Sequence, residues 1–293
     1  MAHLSGTESD DLDNIVKSLR KLILANWLNV VLGVLSLIIF TILWWLYSAW
    51  LHADWPFAGR VPSGGAGLLP YPWEVLTAFL HSFTTKDPAT QLYMGSHIYA
   101  SLKRISFGFV FASGLAVPLG LLMGRSKTAE AFANPIVELF RPIPPLAWVP
   151  IFLIALGFLW GPISIVFLGI FFPILLNVRF GSKSVDPVLV DAARTLGARR
   201  GDIFVKVVLP FTLPYMMTGI KVGLGVGWMC IVAAEMLGSV GGGVGSYIFN
   251  MAYQAGMYDR MFAGMLVIGL LSVMTTGVAA MFERRLSRWM GMK

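Results

Sequence analysis

The sequence predicts an all-α polytopic membrane protein with about six transmembrane helices. Its mean hydropathy is +0.74. Of its 293 residues, 57% are hydrophobic and 13% are charged, whereas an ordinary soluble domain has roughly 25% charged residues. Several uncharged runs reach about 20 residues, which is the length of helix that crosses a bilayer.

Residues 1–28 are predicted to form a cytoplasmic amphipathic segment on the membrane surface. Apolar residues recur at helical spacing over residues 12–23, with basic residues between them, as in helices that lie in the membrane interface. Residues 29–97 are expected to hold the first span, about 29–51, and an external segment rich in Pro and Gly. Aromatic residues typical of an interfacial belt cluster at the outer end of this span: Trp44, Trp45, Tyr47 and Trp50.

Residues 98–285 are predicted to form the core domain, and residues 286–293 a cytoplasmic tail. The core has a cytoplasmic loop at 182–212 and a glycine-rich external loop at 238–245, which we expect to bend freely. Its predicted spans are 105–124, 128–160 with a break at Arg141–Pro145, 162–178, 214–237 and 261–282.

The basic residues predict the orientation. With six spans and an internal N-terminus, the basic N-terminal segment, the 124–127 turn, the 182–212 loop and the C-terminal end all lie in the cytoplasm. This arrangement satisfies the positive-inside rule, and its inverse violates it. The net charge of +7 therefore indicates topology, and we expect no nucleic-acid partner.

Redox and metal chemistry are not indicated. The single cysteine, Cys230, excludes an internal disulfide, and the four histidines show no metal-ligand spacing. We expect no metal and no cofactor bound by this chain.

The 182–212 loop is predicted to contain a helix, a tight turn and a second helix. Asp186 followed by proline is a good helix start, and Gly197 is a good stop, which gives a helix over 187–196. Asp202 is expected to cap the second helix, which should end at Pro210 before the next span.

One motif in this loop is specific. Asp191-Ala192-Ala193, three residues, Gly197, nine residues, Val207, one residue and Leu209-Pro210 resemble the EAA motif of the permease subunits of binding-protein-dependent ABC importers. The spacing matches throughout, with Asp for Glu and Val for Ile. The chain has no GxxxxGK[ST] ATPase loop of its own.

The resemblance extends over about residues 69–285. The segments LLPYPWEVL, SLKRISFGF, RPIPPLAWVPI, TGIKVGLGVGW and IVAAEML resemble permeases for nitrate, bicarbonate, taurine and other sulfonates. It implies the type I importer fold in a prokaryotic inner membrane, in a homodimer with two cytoplasmic ATPases and an external binding protein. ATP and Mg would lie on the ATPase, so this chain is not expected to be an enzyme.

The resemblance implies that the loop contains the coupling helix, which docks into the ATPase. The residues expected to take part are Asp191, Ala192, Ala193, Arg194, Gly197, Arg199, Leu209 and Pro210.

The fifth span predicts two stripes. Gly219, Gly223 and Gly227 form a smooth one, on which another helix can pack. Lys221, Trp228 and Glu235 fall at seven-residue steps on a roughly opposite stripe. A charged residue inside the bilayer should face protein or water, so this second stripe is a candidate wall of the translocation pathway. The pathway candidates are Arg141, Pro144, Pro145, Trp148, Lys221, Trp228, Met229 and Glu235.

Each pathway candidate has an alternative role. Lys221 could reach the cytoplasm, and Glu235 could pair within the bundle or cap the end of the span. Arg141 could lie at the cytoplasmic interface in a snorkelling or coupling role, and Trp148 could pack against its neighbours.

The predicted function is a permease subunit that forms the path for a small anion. The alternatives are an ABC permease for a neutral solute such as a pyrimidine precursor, and a secondary transporter driven by an ion gradient. A secondary transporter favours paired intramembrane carboxylates and inverted repeats, and a membrane enzyme needs clustered catalytic groups. The sequence shows none of these.

Overall fold

The structure, a computed structural model, describes residues 5–52, 69–238, 240–253 and 257–289, with side chains from residue 27 onward except those of residues 29, 287 and 289. The regular elements of this part are all helical. The helices are α1 Ser5–His52, α2 Pro72–Ser82, α3 Met94–Arg125, α4 Lys127–Phe140, α5 Val149–Lys183, α6 Pro187–Thr195, α7 Arg200–Ile203, α8 Leu209–Leu237, α9 Val244–Tyr253 and α10 Tyr258–Trp289. A 3-10 turn at Pro145–Trp148 precedes α5, and a π-helix at Phe204–Val208 joins α7 to α8.

The chain divides into two compact units, residues 1–74 and residues 75–293. In the first unit, α1 runs without a break, so the predicted surface helix and the first span are parts of one helix. The Trp44 Nε1 donates to the carbonyl of Pro70 at 3.1 Å, and the Ser48 hydroxyl donates to that of Leu69 at 2.8 Å. The side chains of the segment predicted to lie on the membrane surface fall outside those described.

Five segments of the described residues are long and apolar enough to cross a membrane. They are Val30–His52, Met94–Arg125, Pro145–Lys183, Arg200–Leu237 and Tyr258–Leu286.

The third of these segments is folded back on itself at Gly157, whose φ of 70° and ψ of 178° interrupt α5. Val149 and Ile165 belong to one buried cluster, and a Cβ on Gly161 would lie 3.0 Å from the carbonyl oxygen of Phe152. Nine residues of straight helix would separate Phe152 from Gly161 by about 13 Å. Helix α5 therefore consists of two arms packed side by side, and the backbone at Gly157 is one that glycine adopts almost alone.

The reversal of α5 at Gly157 adds a further crossing of the membrane. Glu130 of α4 accepts hydrogen bonds from Arg179 and Lys183 at one end of α5, whereas Trp160 lines a cavity with Gly95 at the start of α3, near the other end. Between these levels the chain runs through α4, the 3-10 turn and the first arm of α5. The prediction of a span broken at Arg141–Pro145 is confirmed, and with it the count is about six.

The core of the second unit is α5 packed between α3 and α8. The predicted glycine stripe on α8 is confirmed: Gly219, Gly223 and Gly227 are buried against α5, and a Cβ on any of them would lie 2.9–3.2 Å from Ile170 or Asn177. On α3, Gly108, Gly120 and Gly124 approach α5 in the same way. Small residues let the helix backbones approach closely. This close packing is needed because lipid provides no hydrophobic force between helices.

Some predicted boundaries were wrong. Helix α3 begins at Met94 rather than near Ile105, because its first turns are buried against α9 and α10. The helix before the fifth span does not end at Pro210: a π-helix precedes this proline, which takes a place in the first turn of α8, and the helical chain continues to Leu237. A proline in the first turn needs no backbone N–H.

We predict that Gly219→Ala lowers the stability of the protein. The added methyl would clash with the α5 backbone at Ile174, and overpacking costs about 1–3 kcal/mol, whereas the gain in helix propensity is about 1 kcal/mol. The measurement is the melting temperature in detergent.

The matched control is Gly225→Ala on the same helix, where a Cβ would meet nothing within 4 Å. Its melting temperature should be equal to or above that of the parent protein. If both variants melt at the same temperature, the close α5–α8 contact is refuted.

Candidate functional site

Helix α6, in the loop of residues 182–212, is defined by its two ends. The Asp186 carboxylate accepts a hydrogen bond from the Val188 N–H at 2.8 Å. At the other end Gly197 adopts φ 82°, its N–H bonds to the Arg194 carbonyl at 2.9 Å, and the Ala198 N–H bonds to the Ala193 carbonyl at 3.0 Å. This is a Schellman motif with glycine in the left-handed position. The predicted start and stop of this helix are confirmed, within one residue.

Helix α6 has an anchored face and an open face. Val190 is buried with Val185, Ile203 and Val208, and Ala193 packs against this cluster. The opposite face exposes Ala192 and three large apolar side chains, Val188, Leu189 and Leu196. The small side chain available to a partner is therefore Ala192, whereas Ala193 packs inward and helps to fix the orientation of the helix.

The charges of the loop are exposed. Asp191 pairs with Arg194 at 3.1 Å, and Asp202 pairs with Lys206 at 3.1 Å. Such exposed pairs contribute about 0–1 kcal/mol, so they remain available to a partner. Arg199 is exposed as well.

The prediction that Asp202 caps the second helix was wrong by three residues. Arg199 occupies the cap position, and the Asp202 carboxylate reaches back to its N–H at 3.3 Å. An acid at the third helical position does this in a capping box.

The EAA-type motif ends in the helical chain that enters α8. Leu209 packs against the main core, and Pro210 lies in the first turn of α8. Because α7, the π-helix and α8 are continuous, the loop is joined to the fifth span without a flexible break.

The stripe of α8 that we predicted from sequence to line the pathway faces other helices of this chain. Trp228 is 2% exposed and donates to the Thr275 hydroxyl of α10 at 2.9 Å. Lys221 pairs with Glu283 of α10, and Glu235 is fully buried. Met229 differs, because it is 73% exposed on another face.

Glu235 pairs within the bundle, which is the alternative considered from sequence. Its carboxylate lies 2.6 Å from the Arg104 guanidinium and accepts from the Ser101 hydroxyl and from the Gly245 N–H. Arg104 also donates to the carbonyls of Val240 and Gly242. The glycine-rich loop is therefore held at these points rather than free to bend, and Val244 and Gly245 belong to α9.

The network continues outward through residues that the sequence did not single out. The Gly243 N–H donates to His97 Nδ1 at 3.0 Å, and His97 Nε2 lies 3.5 Å from Asp87. Asp87 accepts from Thr90 at 2.7 Å and from Asn250 at 3.1 Å. The sequence feature that could have pointed to this network was the presence of two charged residues, Arg104 and Glu235, in apolar segments.

Arg141 is placed differently from Glu235. It is exposed, and its side chain makes no hydrogen bond or ion pair within the part of the chain that the structure describes. With Pro145 it lines a cavity of about 420 Å³ whose wall follows α5 from Leu168 to Asn177 and α8 at Val222 and Val226.

The cavity that Arg141 lines extends along α5. Gly169, which also lines the cavity, is 14 residues from the end of α5 at Lys183, a distance of about 21 Å along the helix, and Asn177 is six residues, or about 9 Å, from that end. The cavity therefore reaches well into the length of α5.

The other two candidates of the broken segment shape this region. Pro144 is exposed at the cap of the 3-10 turn. The Trp148 ring stacks on Phe152 at 5.9 Å and lies 5.9 Å from Phe140. It packs against its neighbours, as the alternative from sequence has it.

The comparisons with known proteins identify the family. A family model described as "Binding-protein-dependent transport system inner membrane component" matches residues 116–288. The chain belongs to this family.

Individual relatives of this permease support the same family. It is 43% identical to a putative ABC transporter permease protein of Methanocaldococcus jannaschii, over 70% of this chain and 76% of the relative. It is 34% identical to the taurine transport system permease protein TauC of Escherichia coli K12, over 84% of this chain and 96% of the relative. It is 33% identical to the nitrate import permease protein NrtB of Synechocystis, over 75% of this chain and 81% of the relative.

The fold is that of a type I importer permease. A chain of the MetNI methionine ABC transporter in an inward-facing conformation superposes with a TM-score of 0.51 at 18% identity, and the match covers 73% of this chain and 96% of that chain. The permease is thus a multi-pass membrane protein of a transport family. Within the described residues, no group of three or more His, Cys, Asp or Glu is placed to hold a metal ion.

We predict that Arg104→Gln destabilises this permease. The change leaves the buried Glu235 carboxylate without its cation, and breaking a buried pair in this way costs about 3–5 kcal/mol. The measurement is the melting temperature in detergent, compared with that of Lys103→Gln, which removes the same charge from the exposed neighbouring residue. Equal melting temperatures for the two variants would show that the Arg104–Glu235 pair does not hold the loop.

Proposed function

We propose that this permease forms, with a second copy of itself, the path of an ATP-driven importer for a small anion that an external binding protein delivers. The anion belongs to the taurine and sulfonate, nitrate or bicarbonate class. The observation that carries the proposal is Arg141, a cation that is unpaired among the described residues and lines a cavity along α5. The solutes named for the relatives TauC and NrtB, taurine and nitrate, support the same class.

The membrane environment makes Arg141 informative. An arginine at the bilayer centre costs about 2.5–3.5 kcal/mol on insertion scales, so it faces water, a partner charge or another protein. Since the structure shows no partner for it among the described residues, the face it occupies is suited to a water-filled path. There its field would attract an anion.

The neighbouring face of α8 extends this path. Thr218, Val222 and Met229 are exposed on one side of the helix, and Val222 also lines the Arg141 cavity. We assign the path to this face of α8 rather than to the stripe of Trp228 and Glu235, whose side chains are enclosed by the chain itself.

The open face of α6 would dock into a groove of a separate cytoplasmic ATPase, which binds ATP and Mg. Ala192 permits close approach, the exposed apolar side chains supply contact area, and Asp191 and Arg199 supply charged contacts. Arg194, which was also expected to take part, projects to the side of α6 opposite Ala192. In this orientation both termini of the permease lie in the cytoplasm of a prokaryotic cell.

A disulfide or thiol crosslink from Ala192→Cys should capture the ATPase. Ala192 is on the open face, and the native Cys230 is buried, so the background reaction should be small. The experiment mixes the variant with the ATPase that copurifies with the permease, and mass spectrometry identifies the crosslinked chain.

The matched control is Ala193→Cys, the neighbouring small residue that packs inward, which should crosslink much less. If Ala192→Cys reacts only with a membrane-impermeant reagent added from outside the cell, the cytoplasmic assignment of the loop is refuted.

Arg141→Gln should lower anion uptake by about tenfold or more, because a lost charge-assisted hydrogen bond is worth about 1.5–3 kcal/mol. The assay uses the permease reconstituted with its ATPase and binding protein, and it measures uptake of taurine, bicarbonate and nitrate beside a neutral pyrimidine precursor. Arg141→Lys, which keeps the charge, should retain more activity than Arg141→Gln.

Arg284→Gln, at an exposed site near the end of α10, controls for loss of a positive charge. Unchanged anion uptake in Arg141→Gln removes Arg141 from the path. Uptake of the neutral compound without uptake of any anion would overturn the solute class.

A further inference from the structure

A pocket of about 280 Å³ lies between the end of α3 and the cytoplasmic loop. Three arginines line it: Arg125, the last residue of α3, Arg194 of α6 and Arg200 of α7. The remaining lining is apolar and consists of Val190, Ile203, Phe204 and Val208. We call this feature the arginine pocket.

The positive charge of the arginine pocket is largely uncompensated. Within the described residues, the side chains of Arg125 and Arg200 make no hydrogen bond or ion pair. Arg194 pairs with Asp191, but this pair is exposed and contributes little. Three like charges around one small pocket repel each other, and an anion between them relieves this repulsion.

The level of the pocket selects the kind of anion. Arg125 ends an apolar helix of 32 residues, so it lies where a membrane span meets water. Phe204 lines the same pocket, and Val205 beside it is 57% exposed at the entry to α8. A ligand at this place contacts arginine and apolar side chains together, which suits the headgroup and acyl chain of a phospholipid.

The chemistry of the three side chains favours a phosphate. The planar guanidinium group donates two parallel hydrogen bonds to phosphate oxygens, which lysine does not do. Basic pockets between membrane helices on the cytoplasmic side bind anionic lipid headgroups.

The proposed ATPase contact uses the other side of α6. At 100° per residue, Val190 and Arg194 project to the pocket side of this helix, whereas Ala192 and Leu196 project to the nearly opposite side. Val190 is 5% exposed and Leu196 is 87% exposed, which agrees with this geometry. An ATPase on the open face would leave the arginine pocket accessible from the membrane.

We propose that the arginine pocket binds the phosphate headgroup of an anionic phospholipid from the cytoplasmic leaflet. The bound lipid joins the end of α3 to α6 and α7, and so stabilises the position of the loop that is proposed to contact the ATPase. The choice of leaflet rests on the orientation in the proposed function, whereas the binding of an anionic headgroup rests on the pocket and does not depend on the identity of the transported solute.

The test measures lipid binding to the full-length permease by itself. The protein is purified in a neutral detergent and titrated with phosphatidylglycerol, cardiolipin or phosphatidylcholine, and native mass spectrometry and the melting temperature report binding. We expect both anionic lipids to bind and to raise the melting temperature more than phosphatidylcholine does. The double variant Arg125→Gln, Arg200→Gln should bind them about thirtyfold more weakly.

The matched control is Lys127→Gln with Lys206→Gln, which removes two exposed charges from the same surface outside the pocket. It should bind anionic lipid as the parent protein does. If the double arginine variant folds poorly, the two single variants are measured by native mass spectrometry, and each should bind more weakly than the parent.

Three results would overturn the proposal. One is unchanged lipid binding by the arginine variants, and another is an equal loss in the lysine control. The third is an equal rise in melting temperature with inorganic phosphate alone, which would make the pocket a free-anion site. None of these results bears on anion import, because the assay contains no ATPase, binding protein or solute.

Discussion

The close contact of α3 and α8 with α5 is the constraint on which the rest of this structure depends. Lipid solvates apolar side chains as well as a protein does, so helices associate only where they pack tightly. Glycines on α3 and α8 provide that contact: Gly120 and Gly223 both lie against the α5 backbone. A side chain at these positions would move α5 away from both neighbours and displace the Arg141 cavity, whose walls belong to α5 and α8.

The charged groups of the apolar segments fall into two classes, those enclosed by the chain and those exposed on its surface. Glu235 and Arg104 are enclosed, and hydrogen bonds satisfy both. They fix the turn between α8 and α9, so they act on the shape of this end of the permease. Arg141 is exposed and unpaired among the described residues. Because an open charge is unfavourable in lipid, Arg141 is the group that we propose to contact the solute.

The loop of residues 182–212 is joined directly to the bundle. Helix α6 is anchored by a small apolar cluster that it shares with α7 and the π-helix, and the helical chain then continues from Arg200 to Leu237. In the proposed importer, a displacement of α6 by the ATPase would pass along this chain to the exposed face of α8. The continuous helix carries the proposed wall of the path, and its first turns share the apolar cluster that anchors α6.

The sequence by itself determined the features that depend on local chemistry. Hydropathy and run length predicted the membrane class, and four-residue spacing predicted the glycine stripe of α8. Asp186 and Gly197 predicted the ends of α6, since a helix cap involves residues close in the chain. The EAA-type motif indicated the family for the same reason, because its spacing is local.

Only the tertiary structure decided which side chains meet across the bundle. The sequence placed Lys221, Trp228 and Glu235 on one stripe but could not tell that α10 and α3 cover it, because the facing helix is remote in the chain. Likewise, Arg125 and Arg200 are 75 residues apart, and no periodicity connects them. Their convergence on one pocket depends on the packing of α3 against the loop, which the amino-acid pattern does not encode locally.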